Sequence, residues 1–551
     1  MLYTPRHTES WKSIPWTKCH RIVFRLQMRV YRASHRGDFQ RVHSLQRLLL
    51  RSWSARCLAV RQVSQDNRGK RTPGVDGIAS LTPRQRCHMV DRLFDLESKP
   101  DGIRRTYIEK ASSKTELRPL GIPTIFDRAR QALVKQTLEP EWEAQFEPNS
   151  YGFRPGRSVH DAIVAIFNFI RLKPKYVLDT DLEKCFDKIA HPPLLAKLNT
   201  LPRIARLIRG WLKAGILDKG EWLFPETGVP QGGVISPLLM NIALHGFEQV
   251  LVNAVPKRTK DRKSNVPGVI RYADDLVILH HDLATLRELK QTAEEWLMGM
   301  GLRLKPSKTR IVHTLDERNG QVGFDFLGFH IRQHRVGKHH TRTFRNEPGF
   351  KTIIKPSREA QKRHTKKVKD NIRQYRGSPQ AALIKALNPV IRGWTNYYRT
   401  CSAKKIFARM DLLLTHSLQQ WAKFRHSKKS LGWRLRRYWQ RRRNAMSFTD
   451  GTTCLVKYAT TKVKRHPKVI SEKSPYDGDW LYWGARLSRS PMYPRRKTTL
   501  LKRQQGKCHH CGLRFIDGNV LEVHHRNGDK NDSRYDNLVL LHAHCHDEVH
   551  G

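Results

Sequence analysis

The chain has few acidic residues, few cysteines and no long apolar run. In its 551 residues no stretch of about 18 consecutive apolar residues occurs, so we expect no transmembrane helix. Residues 1–7 contain no apolar signal-peptide core, so we expect a protein that is not secreted, in the bacterial cytoplasm or in an organelle. Nine cysteines are scattered along the chain, and three of them lie within 508–551. A reducing compartment with one local metal site fits this usage better than a disulfide framework.

Positive charge is what the chain has in excess. Lys and Arg number 103 against 49 Asp and Glu, which gives a net charge of +54. Neutralising phosphates releases counterions and drives binding, so a charge of this size and sign indicates a polyanionic partner. Nucleic acid is the expected partner, and an anionic membrane surface is the poorer alternative. The length predicts three or four domains, each able to bury a core.

The charge is concentrated in residues 351–500, which hold 37 Lys and Arg against seven Asp and Glu. Basic residues mixed with aromatic ones suit contacts to a phosphate backbone and stacking on unpaired bases. Each aromatic residue taken alone is also typical of a protein core. The aromatic residues in question are Trp394, Tyr397, Tyr398, Trp433, Tyr438 and Trp439.

The N-terminal part predicts helices. Residues 20–52 read as two amphipathic helices separated by Gly37 and Asp38. A loop rich in Gly and Pro at 67–77 marks a domain boundary near residue 80. The two apolar stripes are Val23, Leu26, Val30 and Ala33, and Phe39, Val42, Leu45 and Leu49.

The most informative feature is the sequence Tyr-Ala-Asp-Asp at 272–275. It lies between two apolar runs, 267–270 and 276–279, that read as strands, so Asp274 and Asp275 are predicted at the tip of a hairpin. Phosphoryl transfer to a nucleotide uses two divalent ions held close together, and carboxylates from separate strands can hold them. This pattern therefore indicates a polymerase.

A third short β-prone run, 176–178, leads into Asp179 and Asp181 about 90 residues before the hairpin. Residues two apart on a strand share a face, so periodicity alone leaves both carboxylates as candidates for the same site. Asp187 is a further acidic residue close in sequence.

Seven blocks, in order along the chain, resemble the reverse transcriptase domain encoded by group II introns. The blocks lie at 118–123, 150–157, 181–187, 228–238, 272–275, 301–309 and 324–329. The block Ile-Arg-Gly-Trp-Thr-Asn-Tyr-Tyr-Arg at 391–399 resembles the maturase region of the same family. The resemblance implies a multidomain α+β chain with a right-hand fingers and palm polymerase fold, a helical thumb and maturase domain, and a small zinc-stapled ββα module.

The resemblance also implies domain bounds. They are an N-terminal helical, RNA-binding extension at 1–85, fingers and palm at 86–335, maturase or thumb at 345–480 with a basic DNA-binding region to about 500, and an HNH endonuclease at 501–551.

In this family the catalytic carboxylates would be Asp181, Asp274 and Asp275, with Asp181 and Asp274 bridging two Mg²⁺ ions. The family pattern has Phe five residues after its first Asp, which selects Asp181 over Asp179 and Asp187. The role of the carboxylates would be electrostatic, because the ions activate the primer 3′-hydroxyl and neutralise charge on the pyrophosphate.

Four residues are implied around the incoming deoxynucleoside triphosphate. Phe186 would exclude ribonucleotides by a clash with the 2′-hydroxyl, with an ordinary core Phe as the alternative. Gln231 would contact the new base pair, and Arg118 and Lys110 would hold the triphosphate. Residues 108–110 depart from the family pattern and are expected to precede a longer loop, so Lys114 is an alternative to Lys110.

The C-terminal residues predict a zinc site. Cys508 and Cys511 are followed by His542 and Cys545, the spacing of a closed site with four ligands. About 50 residues build only a small core, so we expect zinc to be needed for this module to fold. A zinc ribbon that only binds DNA would have the same four ligands.

The same module resembles the HNH endonucleases. The resemblance implies that His525 is the general base and that His524 and His546 bind a catalytic divalent ion. Asn537 would either bind this ion or orient the loop that carries His525. The histidines without an assigned role are His544 and His550.

Together these features predict an RNA-directed DNA polymerase that binds its intron RNA, assists splicing as a maturase and nicks target DNA to prime reverse transcription. The alternatives are a splicing-only maturase with vestigial enzymes and a retron-like or defence-type reverse transcriptase. A homing endonuclease acting on DNA alone would leave most of the chain unexplained. The sequence leaves the intron, the DNA target and the oligomeric state open.

Overall fold

The structure, a computed structural model, describes residues 10–67, 69–110, 113–255, 265–318, 320–337, 349–442, 445–470, 472–515 and 520–550, and it describes their side chains except those of 110 and 113–116. The helices of these ranges are α1 Trp16–His35, α2 Phe39–Arg51, α3 Trp53–Arg61, α4 Pro83–Arg92, α5 Ile125–Glu143, α6 Val159–Ile170, α7 Cys185–Lys188, α8 His191–Leu198, α9 Pro202–Leu212, α10 Ser236–Ala243, α11 Phe247–Ala254, α12 Leu283–Gly299, α13 Arg358–Gln374, α14 Gln380–Tyr398, α15 Lys404–Arg425, α16 Leu431–Tyr438, α17 Trp480–Arg489, α18 Arg495–Arg503 and α19 Ala543–Val549. The strands are β1 Ile103–Lys110, β2 Ser113–Ile122, β3 Tyr176–Asp181, β4 Ile216–Asp218, β5 Glu221–Leu223, β6 Gly268–Tyr272, β7 Asp275–His280, β8 Arg310–His313, β9 Phe324–Phe326, β10 Phe329–Arg335, β11 Phe350–Pro356, β12 Trp439–Arg442, β13 Ala445–Phe448, β14 Leu521–His525 and β15 Leu538–His542. The prediction of a mixed chain of helices and strands is confirmed. Within the described ranges, every helix is too short or too polar to cross a bilayer.

The N-terminal helices form where the sequence predicts them. Asp38 begins α2 by accepting a hydrogen bond from the Arg41 amide, and Ser52 begins α3 in the same way. The predicted stripes of α1 and α2 are buried, except that Leu26 is half-buried against the core and Phe39 at the start of α2 is 45% exposed. The buried faces of α1 and α3 pack against α5, so this helical part lies directly on the rest of the chain.

A central sheet of four antiparallel strands, in the order β6-β7-β3-β8, carries the predicted acidic residues. Its side chains alternate between two cores, as expected for strands with both faces covered. Leu178 and Ile278 join one core with α12, whereas Val177 and Val277 join another with α6 and the helices after residue 358. Buried faces on both sides hold the strand ends in a fixed position.

A second sheet has the strand order β2-β1-β4-β5. The pairing of β1 with β2 extends to Lys110 opposite Ser113, so only two residues join the strands. The expectation of a longer loop after Lys110 is therefore wrong, because both strands continue further than the local sequence indicates.

A buried carboxylate joins the central part of the chain to α17 and to the segment before it. Asp161 in α6 is fully buried, and both its oxygens lie 2.9 Å from Nη2 of Arg486. It also accepts hydrogen bonds from the Val469 amide at 2.7 Å and lies 3.0 Å from Nε2 of His466. These contacts hold the pKa of Asp161 well below its usual range, although burial alone would raise it.

The basic region at 351–500 is largely helical and begins with β11 and helices α13 to α15. Tyr398, Tyr438 and Trp439 are buried in its core, which confirms the core alternative for these three aromatic residues. The basic side chains instead line a groove between α13 and α15, including Lys362, Lys369 and Arg373. The surface offered to a polyanion is therefore mainly cationic.

Candidate active site

The Tyr-Ala-Asp-Asp sequence forms the predicted hairpin tip. Tyr272 pairs with Asp275, so Ala273 and Asp274 alone make the turn between β6 and β7. Ala273 has φ of 58°, which only a small set of residues adopts easily. A Cβ atom added at Gly152 would lie 2.3 Å from the Ala273 amide nitrogen. The loop around Gly152 thus packs directly against the turn, and a glycine is required there.

The fold brings the three predicted carboxylates together. Asp181 is the register partner of Asp275, and the Leu182 amide donates to the Asp274 carbonyl at 3.2 Å. Burial, and next the negative charge of Asp181, raise the pKa of Asp274. Burial, Asp274 and Asp181 raise the pKa of Asp275 to about 7. Such a half-buried set of like charges is stabilised by divalent cations, and its hard oxygen donors are those that Mg²⁺ prefers.

The neighbouring acidic residues have other surroundings. Asp179 accepts hydrogen bonds from Nε and Nη2 of Arg310, at 2.9 and 2.8 Å. Both bonds reach the same oxygen, Oδ2, and so pair Asp179, which periodicity alone left as a candidate, with an arginine. Asp187 lies exposed on α7, and its backbone carbonyl accepts a hydrogen bond from the Thr227 hydroxyl at 3.2 Å.

Lys308 is a site residue to which the sequence reasoning gave no role. Its Nζ lies 2.5 Å from Oδ2 of Asp181. Burial would lower the pKa of Lys308, but the contact with Asp181 and the charges of Asp275 and Asp274 raise it overall. The available signal was its position in the block at 301–309, whose Lys305 amide also donates to the Asp181 carbonyl at 2.8 Å.

Of the predicted nucleotide-binding residues, Arg118 lies near this cluster. Arg118 is exposed on β2 and is close enough to Asp274 for its charge to oppose the rise in that pKa. The carbonyl of Gln231 accepts a hydrogen bond from the Gly121 amide at 2.5 Å, which joins its loop to β2. The side chains of Lys110 and Lys114 lie outside the described residues.

Phe186 is half-buried beside the same loop. Its carbonyl accepts a hydrogen bond from the Val229 amide at 2.5 Å, and its ring lies 6.4 Å from that of Phe153. The ring packs against the main core while remaining partly exposed, so its position is compatible with both the gate and the core interpretation.

In the C-terminal module, Cys508, Cys511, His542 and Cys545 converge. One ligand atom from each lies within 4.8 Å of all the others. Nδ1 of His542 is 3.4 Å from Sγ of Cys511 and 4.0 Å from Sγ of Cys545. Three thiols and an imidazole, mostly buried, form a donor set that fits a closed tetrahedral zinc site.

A second group of histidines lies where β14 meets α19. Ligand atoms of His524, His546 and His550 lie within 4.8 Å of one another, and Nδ1 of His524 is 3.2 Å from Nε2 of His550. His550 had no predicted role. The signal was present, because His546 and His550 are four residues apart and such residues share a helix face.

His525 is on the opposite side of β14 from His524, since successive side chains alternate. Val523, two residues earlier, packs in the core of the module. Nε2 of His525 is buried and, among the described residues, has no hydrogen-bond partner. This ring nitrogen therefore has hydrogen-bonding capacity that no described protein group uses.

Asn537 uses both ends of its amide within one loop. Its Oδ1 accepts from the Asn527 amide and its Nδ2 donates to the Asp532 carbonyl, each at 3.0 Å. Asn537 is 9% exposed. Of the two predicted roles, this geometry favours orienting the loop after His525.

Comparison with protein families identifies three ranges. Residues 11–93 match the N-terminal domain of reverse transcriptase, residues 108–331 match the reverse transcriptase (RNA-dependent DNA polymerase) family, and residues 361–439 match the group II intron maturase-specific domain. The reverse transcriptase range contains the three converging carboxylates. These three ranges end before the C-terminal module.

Individual relatives agree with the family matches. Protein YkfC of Escherichia coli is 34% identical over 54% of this chain and 84% of its own length. The group II intron-encoded protein LtrA of Lactococcus lactis is 36% identical over 36% of this chain, and the match spans only 33% of LtrA. Maturase-like protein 1 of Euglena gracilis is 28% identical over 73% of this chain and 80% of its own length. The chain therefore belongs to the family of group II intron-encoded reverse transcriptases and maturases.

Proposed function

We propose that this chain copies RNA into DNA with Asp181, Asp274 and Asp275 as its catalytic carboxylates. The observation that carries the proposal is the convergence of these three half-buried carboxylates from two paired strands and the turn between β6 and β7. Burial, and next their mutual repulsion, raise the pKa values of Asp274 and Asp275, which supports a role in holding divalent cations.

Two Mg²⁺ ions at this site would supply activation of the primer 3′-hydroxyl and neutralisation of the leaving pyrophosphate. Asp181 and Asp274 would hold both ions, and Asp275 one. Arg118, exposed near Asp274, would bind the triphosphate by the paired N–H groups of its guanidinium. The polymerase part would be a right hand, with the central sheet as palm and the sheet of β1 and β2 as fingers.

Primer extension on an RNA template with Mg²⁺ and deoxynucleotides tests this assignment. Asp274→Ala should abolish extension, because it removes an ion-binding carboxylate. Asp187→Asn is the matched control, since this nearby carboxylate is exposed, and it should retain extension. If the native chain extends no primer while it and Asp274→Ala bind the intron RNA tightly, the chain is a splicing-only maturase and the polymerase assignment is wrong.

We further propose that the C-terminal module is a zinc-stapled HNH endonuclease. Two separate groups of converging metal-binding side chains support it, because a zinc ribbon needs only one. Cys508, Cys511, His542 and Cys545 would hold zinc. The catalytic ion would be bound by His524, His546 and His550, with His525 as general base, and Asn537 would orient its loop.

The nuclease and the polymerase are linked by chemistry. A nick in target DNA leaves a free 3′-hydroxyl, and a polymerase requires such a hydroxyl as its primer. The basic groove between α13 and α15 supports binding of the intron RNA during splicing and copying. The protein would thereby act in splicing and in insertion of the intron into DNA.

Nicking of supercoiled DNA that carries the target sequence tests the nuclease. His524→Ala should eliminate nicking and leave primer extension unchanged, whereas His416→Ala, an exposed histidine on α15, should change neither. If the protein–RNA complex binds the DNA and His524→Ala nicks it as fast as the native chain, the module is a DNA-binding zinc ribbon.

A further inference from the structure

Helix α19 contacts the N-terminal helical part of the chain. Oδ2 of Asp547 lies 2.9 Å from Nη2 of Arg61, the last residue of α3. The ring of His544 stacks on that of His20 in α1, with centroids 4.2 Å apart and planes inclined by 19°. The two contacts involve different residues on both sides, so they define one interface between residues more than 480 positions apart in sequence.

The same helix carries ligands of both proposed metal sites. Cys545 belongs to the zinc group, and His546 belongs to the three-histidine group with His550 just beyond the helix end. The ring of His544 also stacks on His542, a zinc ligand, at 4.9 Å and 12°. A continuous stack therefore runs from α1 to the zinc group, and the ion pair lies next to His546 in sequence.

We infer that the N-terminal reverse transcriptase domain positions the metal-binding helix of the nuclease, with Arg61 and His20 as the positioning residues. The inference rests on the proposed nuclease function. It assigns to the N-terminal domain a task in DNA cleavage in addition to any role in RNA binding.

A helix of this size needs external support. Helix α19 has seven residues, and helices this short are not stable by themselves in water. Zinc would fix its N-terminal end through Cys545. The position of His546 and His550 relative to His524 on β14 then depends on the orientation of the helix about that end. Metal-binding side chains must be held within roughly 0.5 Å of their working geometry, so a second point of attachment matters.

Arg61 is suited to be that point because it is itself held in place. Its side chain is 5% exposed, and its guanidinium lies 4.7 Å from the ring centre of Trp16. Its Nε lies 3.5 Å from Oδ1 of Asp66. Asp547 is 68% exposed, so the ion pair contributes little to overall stability. The ion pair instead fixes the position of α19, because its partner Arg61 is held rigidly.

A charge exchange tests the inference on the full chain. Arg61→Glu and Asp547→Arg each place like charges opposite one another, and the double variant restores an opposite pair. Bound Mn²⁺ is measured by electron paramagnetic resonance for each variant, with and without the additional change His524→Ala. The difference between the two amounts is the Mn²⁺ bound by the module, because the palm carboxylates contribute equally to both. Bound zinc per chain serves as the control for an intact module.

Each single variant should weaken Mn²⁺ binding by the module roughly tenfold, the scale known for groups that orient metal ligands, and the double variant should recover most of it. Nicking should follow Mn²⁺ binding, while primer extension stays unchanged. If the single variants bind Mn²⁺ as the native chain does, or the double variant recovers nothing with its zinc retained, the inference is wrong.

Failure of the proposed function gives a different result. In that case the native chain and His524→Ala bind the same amount of Mn²⁺, whichever residue is at position 61, and both proposals are wrong.

If Arg61→Glu does not fold, His20→Leu replaces it, because it removes the stacking imidazole and leaves the ion pair intact. Unchanged Mn²⁺ binding in His20→Leu would then overturn the positioning role.

Discussion

A buried ion pair next to the loop that packs on the Ala273–Asp274 turn gives a sharp test of the energetics. Arg154 and Glu143 are 5% and 4% exposed, and Nε and Nη2 of the arginine lie 2.9 and 3.0 Å from the two carboxylate oxygens. Nη1 of Arg154 donates to the carbonyls of Glu147 and Ser150, at 2.7 and 3.0 Å. The pair thus holds the loop that leads to Gly152 and the turn.

Removing one partner leaves the other as a buried charge, which costs about 3–5 kcal/mol. We therefore expect Glu143→Leu and Arg154→Met each to lower the free energy of unfolding by about 3–5 kcal/mol. The double variant buries no uncompensated charge and should lose clearly less than the sum, with a coupling of about 2 kcal/mol or more. The arginine variants also leave two carbonyls without this donor, so the double variant remains less stable than the native chain.

Equilibrium urea denaturation at 25 °C, followed by circular dichroism, measures these differences in the transition of the reverse transcriptase part. Glu294→Gln is the control, because its pair with Lys290 is exposed and should contribute less than about 1 kcal/mol. A loss below about 1 kcal/mol in either single variant, or strict additivity in the double variant, would refute the reasoning.

Three further predictions concern other parts of the chain. Burial raises the pKa of Glu141 to about 7 from 4.5, so the folded state keeps a proton that the unfolded chain releases, and stability falls as pH rises between these values. Glu141→Gln should recover up to about 3 kcal/mol at pH 8 in denaturation experiments, and the exposed Glu288→Gln should recover none. Gly152→Ala should slow primer extension by roughly 100-fold, because the added Cβ displaces the turn at Ala273. Gly299→Ala should leave the rate of extension unchanged, because its added Cβ meets open space. Cys511→Ser should release zinc and make residues 501–551 sensitive to protease, without loss of primer extension on the same template.

Features that depend on neighbouring residues were predictable from the sequence. The hairpin with Asp274 and Asp275 follows from two apolar runs and the short segment between them, and the helices near Gly37 follow from periodicity and capping. The spacing of four residues between His546 and His550 is also visible in the sequence, and it predicts that both lie on one face of a helix.

Features that depend on distant residues were not predictable. Asp179 is occupied by Arg310, 131 residues later in the chain, and no local pattern announces that pairing. Lys308 and Asp181 are 127 positions apart, so the block at 301–309 marks the lysine without indicating its partner. The sequence predicts a longer loop after Lys110 than the structure has. Pairing between β1 and β2 extends both strands, because it overrides the weak strand preference of the local sequence.

The contact between Arg61 and Asp547 has a consequence for how the chain is made. The two residues are 486 positions apart, and at about 5–20 residues per second a ribosome needs roughly 25–100 seconds to add the second after the first. Throughout that interval α19 is absent, so the faces of α1 and α3 that it later contacts stay open to solvent, also after the reverse transcriptase range 108–331 has been synthesised. Synthesis that stalls before residue 543 therefore leaves this surface bare.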